Sequence, residues 1–315
     1  MVLDLMAVEV VAPATSANLG AGFDVFGVAL DVLFDRVIVK RSEDKAIKIE
    51  VYGEGSGEIP TEPDKNTAGV VAMEMLKKAG ERCGLMIRVY KGIRPGSGLG
   101  SSAASAAATA VAINDLLSLN LTLTQLIEAA AMGEIASAGS PHADNVSAAI
   151  LGDLTLIVAR EPLEVLRLKL PSNAEFAVVM PEIKVDTRLA RSVLPRQVSL
   201  SSMVHNIGRA ATFVAGIALN SVEVMGKGMM DAVIEPARAH LIPGLNRVKE
   251  AALKAGAAGV SISGAGPSII ALVNSEKTST KEVALAMKDA FGEVGIRSRP
   301  LCAKPGGGAR IVRRG

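Results

Sequence analysis

A chain of 315 residues, 49% hydrophobic and 21% charged, can bury one or two substantial cores and reads as an ordinary globular protein. Its 34 Lys and Arg against 32 Asp and Glu leave a formal +2, which argues against a nucleic-acid or anionic-membrane footprint and leaves a small neutral or zwitterionic substrate open. The two cysteines, Cys83 and Cys302, are far apart and in no CxxC spacing, so neither a disulfide framework nor a zinc site is indicated and a reducing cytoplasm is expected.

The opening MVLDLMAVEVVAPATSANLG lacks a basic stretch leading into an apolar one, so no secretory signal is expected. Val8–Ala12 is predicted as the first strand. Arg36–Lys40 and Ile47–Val51 alternate apolar with charged residues around the polar RSEDK, which predicts an antiparallel hairpin. After Asp64–Asn66, TAGVVAMEMLKKAG has helical spacing and stops at Gly80; Leu85–Tyr90 then reads as a strand leading into a glycine-rich segment. From Pro95 to Asn114 there is no charge, but the window is Gly, Ser and Ala with few large apolar side chains, so it predicts a closely packed buried helix. Thr122 and Gln125 have capping-box spacing ahead of a Leu-, Ile- and Ala-rich run, placing Glu134 on a helix that ends near Gly139, with the loop SPHADN next.

Leu154–Ala159 and Phe176–Met180 read as buried strands, and EPLEVLRLKLPSNA between them as the least structured stretch of the middle of the chain. A boundary there divides an N-terminal domain, 1–165, from a C-terminal one, 166–315. Helices over Ser202–Leu219 and Leu245–Ala255, strands at Gly259–Ser263 and Ile269–Val273, and a capped helix from Lys281 make the fold class α+β, a sandwich in the second half. No solenoid period is present, and the tail KPGGGARIVRRG reads as a turn and a solvated end.

The segment RPGSGLGSSAAS, Arg94–Ser105, carries chemistry. Three alternating glycines and two serines run into an alanine-rich helix, an arrangement in which the backbone can approach an anion and helix N–H groups can meet phosphate oxygens. No GK[ST] follows, so it is not a Walker A loop. Gly98, Gly100 and Ala103 match GxGxxA, but Pro95 and Gly96 separate them from the preceding strand, which weakens a dinucleotide reading. From these residues alone a glycine turn capping a buried helix stays open.

PGSGLGSSAA resembles the phosphate-binding motif of the GHMP kinases, named for galactokinase, homoserine, mevalonate and phosphomevalonate kinases. PATSANLGAGFDVFGVAL, Pro13–Leu30, and GVSISGAGPSIIAL, Gly259–Leu272, resemble two further segments of that superfamily in the same order. TSANLGAGFD, DKN, HADN, ARSVLP and EPARAHLIPG resemble its homoserine kinase branch, and the likeness covers most of the chain. It implies a first domain with a left-handed βαβ crossover, a ferredoxin-like α/β sandwich as the second, and an active site between them. It also implies ATP and Mg2+, cytoplasmic amino-acid biosynthesis of threonine, and a homodimer.

What the resemblance implies for single residues goes beyond what each would carry alone. L-Homoserine has a carboxylate, an ammonium and a primary hydroxyl. Arg191 and Arg238 are assigned to the carboxylate, since a guanidinium fork satisfies both oxygens; taken singly, each would read as a surface ion pair. Asp24 is assigned to the ammonium with Asn18 beside it, although both residue types also suit turns, and Thr187 joins the substrate set. His142 and Asn145 are placed near the hydroxyl. An amide cannot take a proton, so Asn145 orients the hydroxyl and stabilises the transition state, while Asp144 as base stays an alternative. Ser102 and Glu134 are the metal positions, against readings as helix cap and solvated face. ATP is assigned to Asn66, with the adenine, and to the run Pro95, Gly96, Ser97, Gly98, Leu99, Gly100, Ser101, Ser102, Ala103, Ala104 and Ser105. GAGPS, Gly264–Ser268, has a supporting role. The acceptor alternatives are mevalonate or shikimate; a non-catalytic ATP sensor and a nicotinamide-dependent oxidoreductase are the alternatives of another class.

Overall fold

In the computed structural model, which describes residues 7–139 and 141–315, the first half of the chain runs β1 (Ala7–Asn18), β2 (Gly22–Ser42), β3 (Ile47–Gly53), α1 (Thr67–Ala79), β4 (Gly84–Lys91), α2 (Ser101–Leu116), α3 (Leu123–Ala138), α4 (Asp144–Leu151), β5 (Leu154–Arg160), β6 (Leu163–Leu168) and β7 (Ala174–Pro181). The second half continues α5 (Thr187–Ser192), α6 (Leu200–Ala218), α7 (Val222–Lys227), α8 (Ile234–Arg238), α9 (Leu245–Lys254), β8 (Gly259–Ile262), β9 (Ile269–Asn274), α10 (Thr280–Gly292), β10 (Ser298–Ala303) and β11 (Arg310–Arg314). The first six residues, read above for a secretory pattern, and Ser140 of SPHADN lie outside the described residues.

β2 is the hub of the first sheet, pairing antiparallel with β1, β4 and β5; β11 flanks β1, β6 flanks β5 and β3 flanks β4. β3 and β4 are the parallel pair, bridged by α1, and form the βαβ unit of the fold. This overturns the predicted hairpin. Residues 36–40 and 47–51 are strands, but β4 lies between them, antiparallel to one and parallel to the other. Alternation marks a half-buried strand and says nothing of its partner.

Two further expectations change in the same way. The stretch read as least structured contains β6, which pairs with β5, and the tail read as a solvated end pairs through β11 with Val8–Val11 of β1, although its arginines stay exposed. Of SPHADN, residues 141–143 are loop, and Asp144 and Asn145 open α4.

The second sheet, in order β10-β7-β9-β8, is antiparallel throughout. Its strands and helices follow the βαββαβ succession of a ferredoxin-like sandwich. Phe176, Val178, Ile270 and Leu272 join the large core of the first sheet and α1–α4. Their neighbours Ala177, Val179, Ala271 and Val273 pack with α9 and α10. Burial on both faces explains the unbroken apolar runs of β7 and β9.

The charge-free window is α2, buried along most of its length, with Ala103, Ala104, Ala106, Ala107 and Ala108 fully enclosed. Methyl-sized side chains let α2 lie close to β1, β2, α1 and α3 at once. No helix among the described residues is long and apolar enough to cross a membrane. The capping box at Thr122 and Gln125 is formed, and it starts the helix that carries Glu134 inward to 7% exposure.

Candidate active site

The loop from β4 into α2 turns through Gly96, Gly98 and Gly100, all at positive φ (68°, 82° and 64°). Three successive carbonyls in it are engaged by protein donors: Ser97 by the Ser268 N–H at 3.1 Å, Gly98 by the Ser263 hydroxyl at 2.7 Å, and Leu99 by the Thr15 N–H at 3.1 Å. The N-terminus of α2 carries no side-chain cap, so no side chain takes up its first N–H groups. GAGPS thus does more than close a hairpin, since it ties the second sheet to the loop. A Cβ on Gly100 would stand 1.9 Å from Thr15 Oγ1 in a left-handed backbone. Gly100→Ala is therefore expected to cost about 2–4 kcal/mol of stability and about a hundredfold in kcat/KM for ATP, checked by thermal melts and initial rates.

The loop forms one wall of a cleft of about 320 Å3. Pro95, Gly96, Ser97, Gly98, Gly100, Ser101, Ser102 and Ser105 line it, whereas the side chains of Leu99, Ala103 and Ala104 are fully buried in the core and leave only backbone for a nucleotide. Asn66 lines it too, but its Oδ1 caps α1 by accepting from the N–H of Ala68 and Gly69, and its Nδ2 donates to the Pro60 carbonyl. Val51, Val89, Ile59 and Pro60 add apolar surface.

A cluster of charge occupies the same cleft. Asn18 and Asp24 hold positive φ (76° and 58°) at the turn from β1 to β2. The Asn18 Oδ1 accepts from the Asp24 N–H at 3.1 Å, as its turn-forming character predicts, while its Nδ2 donates to the Gly264 carbonyl at 2.9 Å. Arg191, in the last turn of α5, grips Asp24 with two N–H donors at 2.7 and 3.3 Å, and Arg160 approaches the same carboxylate at 3.4 Å. Burial works to raise the Asp24 carboxyl, but the hydrogen bonds and charge of Arg191 outweigh it and hold the group below its usual value. Arg238 is 3% exposed, its Nε bonded to the Ala190 carbonyl and its NH1 to that of Gly264; burial and then Arg191 bring it down to about 10, still charged at neutral pH. Phe23 faces both guanidinium groups at 5.4 Å. Thr187 lines the cleft at the start of α5.

His142 is pushed down to about 4 by burial and by Arg191, so it is neutral at pH 7. Its Nδ1 lies 3.2 Å from the Arg191 NH2 and accepts from it, which puts the ring proton on Nε2. Asn145, on the first turn of α4, accepts from the Thr15 hydroxyl through Oδ1 at 2.7 Å and turns Nδ2 toward Asp144 Oδ1 at 3.5 Å, which orients the amide. Its Oδ1 lies 3.2 Å from where a Gly100 Cβ would be, so this amide stands directly against the glycine loop. Burial raises Asp144 to about 6 and Glu134 to about 7. The Ser102 hydroxyl donates to Glu134 Oε2 at 3.2 Å, joining the two positions assigned to a metal.

The sequence-assigned site residues gather around one cleft, with the three buried loop side chains as the exception. Thr15, Phe23 and Arg160, which touch these groups, are not among the residues singled out from the sequence. Thr15 lies in the PATSANLG segment that was singled out, but nothing local signals its partner 130 residues away.

Comparison with known proteins falls in line with this geometry. The family model for the GHMP kinases N terminal domain matches residues 66–153, from the cap of α1 past Asn145, and that for the GHMP kinases C terminal matches 213–293; the chain is a GHMP kinase, a phosphotransferase class that uses ATP. A homoserine kinase of Methanococcus vannielii is 45% identical over 288 residues, 91% of this chain and 92% of its own, and one of Methanocella arvoryzae is 45% identical over 98% of both chains. The crystal structure of homoserine kinase from Cytophaga hutchinsonii superposes with a TM-score of 0.92 at 38% identity over 97% of each chain. The chain belongs to the homoserine kinase family.

Proposed function

We propose that the chain transfers the γ-phosphoryl group of ATP to the hydroxyl of L-homoserine, giving ADP and O-phospho-L-homoserine in the threonine branch of amino-acid biosynthesis. The observation that carries this reading is the placement of a paired Asp24 and Arg191 in the same cleft as an amide that abuts a phosphate loop. An α-amino acid bears its ammonium and carboxylate on one carbon. Opposite charges held side by side in the protein match that pattern, with Asp24 taking the ammonium and Arg191 and Arg238 the carboxylate. Mevalonate and shikimate have no ammonium and would leave Asp24 unmatched. Asn18 holds the Asp24 backbone, and neutral His142 holds Arg191.

The hydroxyl oxygen attacks the γ-phosphorus as the bond to the β,γ-bridging oxygen breaks. The hydroxyl proton leaves late, to phosphate or water. Asn145 Nδ2 orients the acceptor, and the N–H groups at the start of α2 meet the phosphates. The buried oxygen pair of Ser102 and Glu134 suits Mg2+, which takes few protein ligands and fills its sphere with phosphate oxygens and water; when bound it would neutralise charge between the β- and γ-phosphates. The apolar wall beside Asn66 suits the adenine.

Release of ADP with Mg-ATP and L-homoserine, compared with D-homoserine, L-threonine, mevalonate and shikimate, tests the acceptor. Turnover on mevalonate or shikimate in its place would sink it. Asn145→Ala is expected to lower kcat about 10²–10³-fold with little change in KM. A second reading rests on Asp144, which lines the cleft with a pKa raised to about 6. If Asp144 is the base, Asp144→Asn matches that loss and removes a limb near pH 6 from the rate profile; if Asn145 acts by orientation alone, Asp144→Asn keeps most of kcat and leaves the shape of the profile unchanged.

A further inference from the structure

One buried carboxylate outside the substrate cluster touches both ends of the phosphate loop. Asp35, on β2, is fully buried. Its Oδ1 accepts the N–H groups of Gly92 and Ile93 at 3.0 and 3.1 Å, where the chain leaves β4 toward the loop. Its Oδ2 accepts from the Lys91 ammonium and from the Ser105 hydroxyl at 2.8 Å, on the first turns of α2. Lys91, 6% exposed, also donates to the Ser101 carbonyl at 2.7 Å and the Ser105 hydroxyl at 2.8 Å. Ser101 in turn donates to the Ile93 carbonyl at 2.7 Å, so entry and exit of the loop are joined to each other as well as to Asp35.

All three ammonium protons of Lys91 are engaged by protein acceptors, and Asp35 accepts four hydrogen bonds. A buried ion pair satisfied on every side contributes little net stability compared with apolar residues, but it specifies one geometry. That geometry is the spacing between Ile93 and Ser101, which sets the curvature of the glycines between them and the place of Ser102.

We infer that Asp35, acting with Lys91, is the positioning residue of the phosphate loop: it sets the loop's aperture for the nucleotide's phosphates without touching the nucleotide. The inference rests on the reading of this loop as the ATP phosphate site. It assigns the pair a role in phosphate binding and none in recognition of adenosine or of the acceptor.

Binding of ADP and of adenosine to the intact chain, with KM for L-homoserine, tests this in Asp35→Asn, Lys91→Met and the two combined. Each single variant leaves a buried group unmatched and should melt early; the combined variant removes both charges and should recover most of the melting temperature. ADP binding should nevertheless stay about tenfold or more weaker in the combined variant, with adenosine binding and KM for L-homoserine within about twofold of wild type. Recovery of ADP affinity along with stability overturns the inference, because the pair then serves folding only. Equal weakening of adenosine also overturns it, since the whole cleft is then disturbed. So does full ADP affinity in Asp35→Asn beside a loss in Lys91→Met, which would make the lysine a direct ligand. If wild type itself binds ADP no tighter than adenosine, the ATP-site reading fails first.

Discussion

Asp24→Asn is expected to lower kcat/KM for L-homoserine about a thousandfold while ADP affinity stays within about twofold of wild type. The substitution keeps the shape of the side chain and removes its charge. It deprives the substrate ammonium of its partner and leaves Arg191 and Arg160 facing a neutral amide. The diagnostic is an acceptor without the ammonium. Wild type should reject 4-hydroxybutyrate by about the same thousandfold, and the variant should treat it and L-homoserine nearly alike, because the interaction that separates them is gone. Initial rates with both acceptors suffice. A variant that still prefers L-homoserine strongly would remove Asp24 from ammonium recognition and shift attention to Asn18 and the backbone around it. The depressed pKa of Asp24 keeps it ionised through the neutral range, so the preference should not vary between about pH 6 and 8.

Glu134→Gln should give an enzyme that is more stable and nearly dead. Burial raises the folded-state pKa of Glu134 from its ordinary 4.5 to about 7. Between those values the folded chain holds a proton that the unfolded chain has released. The stability this group allows is therefore complete below about pH 4.5 and is lost as pH rises through about 7. Glutamine has no charge to bury, so its advantage should grow with pH and level off near pH 8 at no more than about 3 kcal/mol, a melting temperature several degrees higher. Asp144 and His142 titrate in both proteins and largely cancel in the difference. Turnover should fall about a thousandfold, since a neutral amide is a poor ligand for a hard dication, and Mg2+ should no longer raise the melting temperature in the presence of ADP. A variant that melts lower than wild type at about pH 8, or that keeps its turnover, contradicts this account of the carboxylate.

The parts of the molecule that could be read from the sequence are those whose cause is local. The capping box at Thr122, the glycine loop and the small-residue helix after it each depend on neighbours within a few positions, and they stand as expected. Ile47–Val51 is a strand, as its alternation predicts, but its partner is β4 and not β2, because pairing depends on where α1 returns the chain. The same limit applies to the site. Asn145 could be picked out by resemblance, but the hydroxyl that orients it belongs to Thr15, and the carbonyl gripped by both Asn18 and Arg238 belongs to Gly264. Asn66, assigned to the adenine by resemblance, instead has its Oδ1 taken up locally, accepting from the N–H groups of Ala68 and Gly69 as the cap of α1.

β11 lies along β1, with the backbones of Ala7 and Gly315 exchanging hydrogen bonds at 2.9 Å in both directions. A ribosome delivers β1 well before β11, so the outer edge of β1 stays unpaired until β11 follows. The strand that carries Thr15 and Asn18 acquires its outer neighbour only when β11 has emerged. Assembly of the first sheet thus includes a pairing of very long sequence separation, Val8 with Arg314, slow to close and vulnerable to edge-to-edge association until it does.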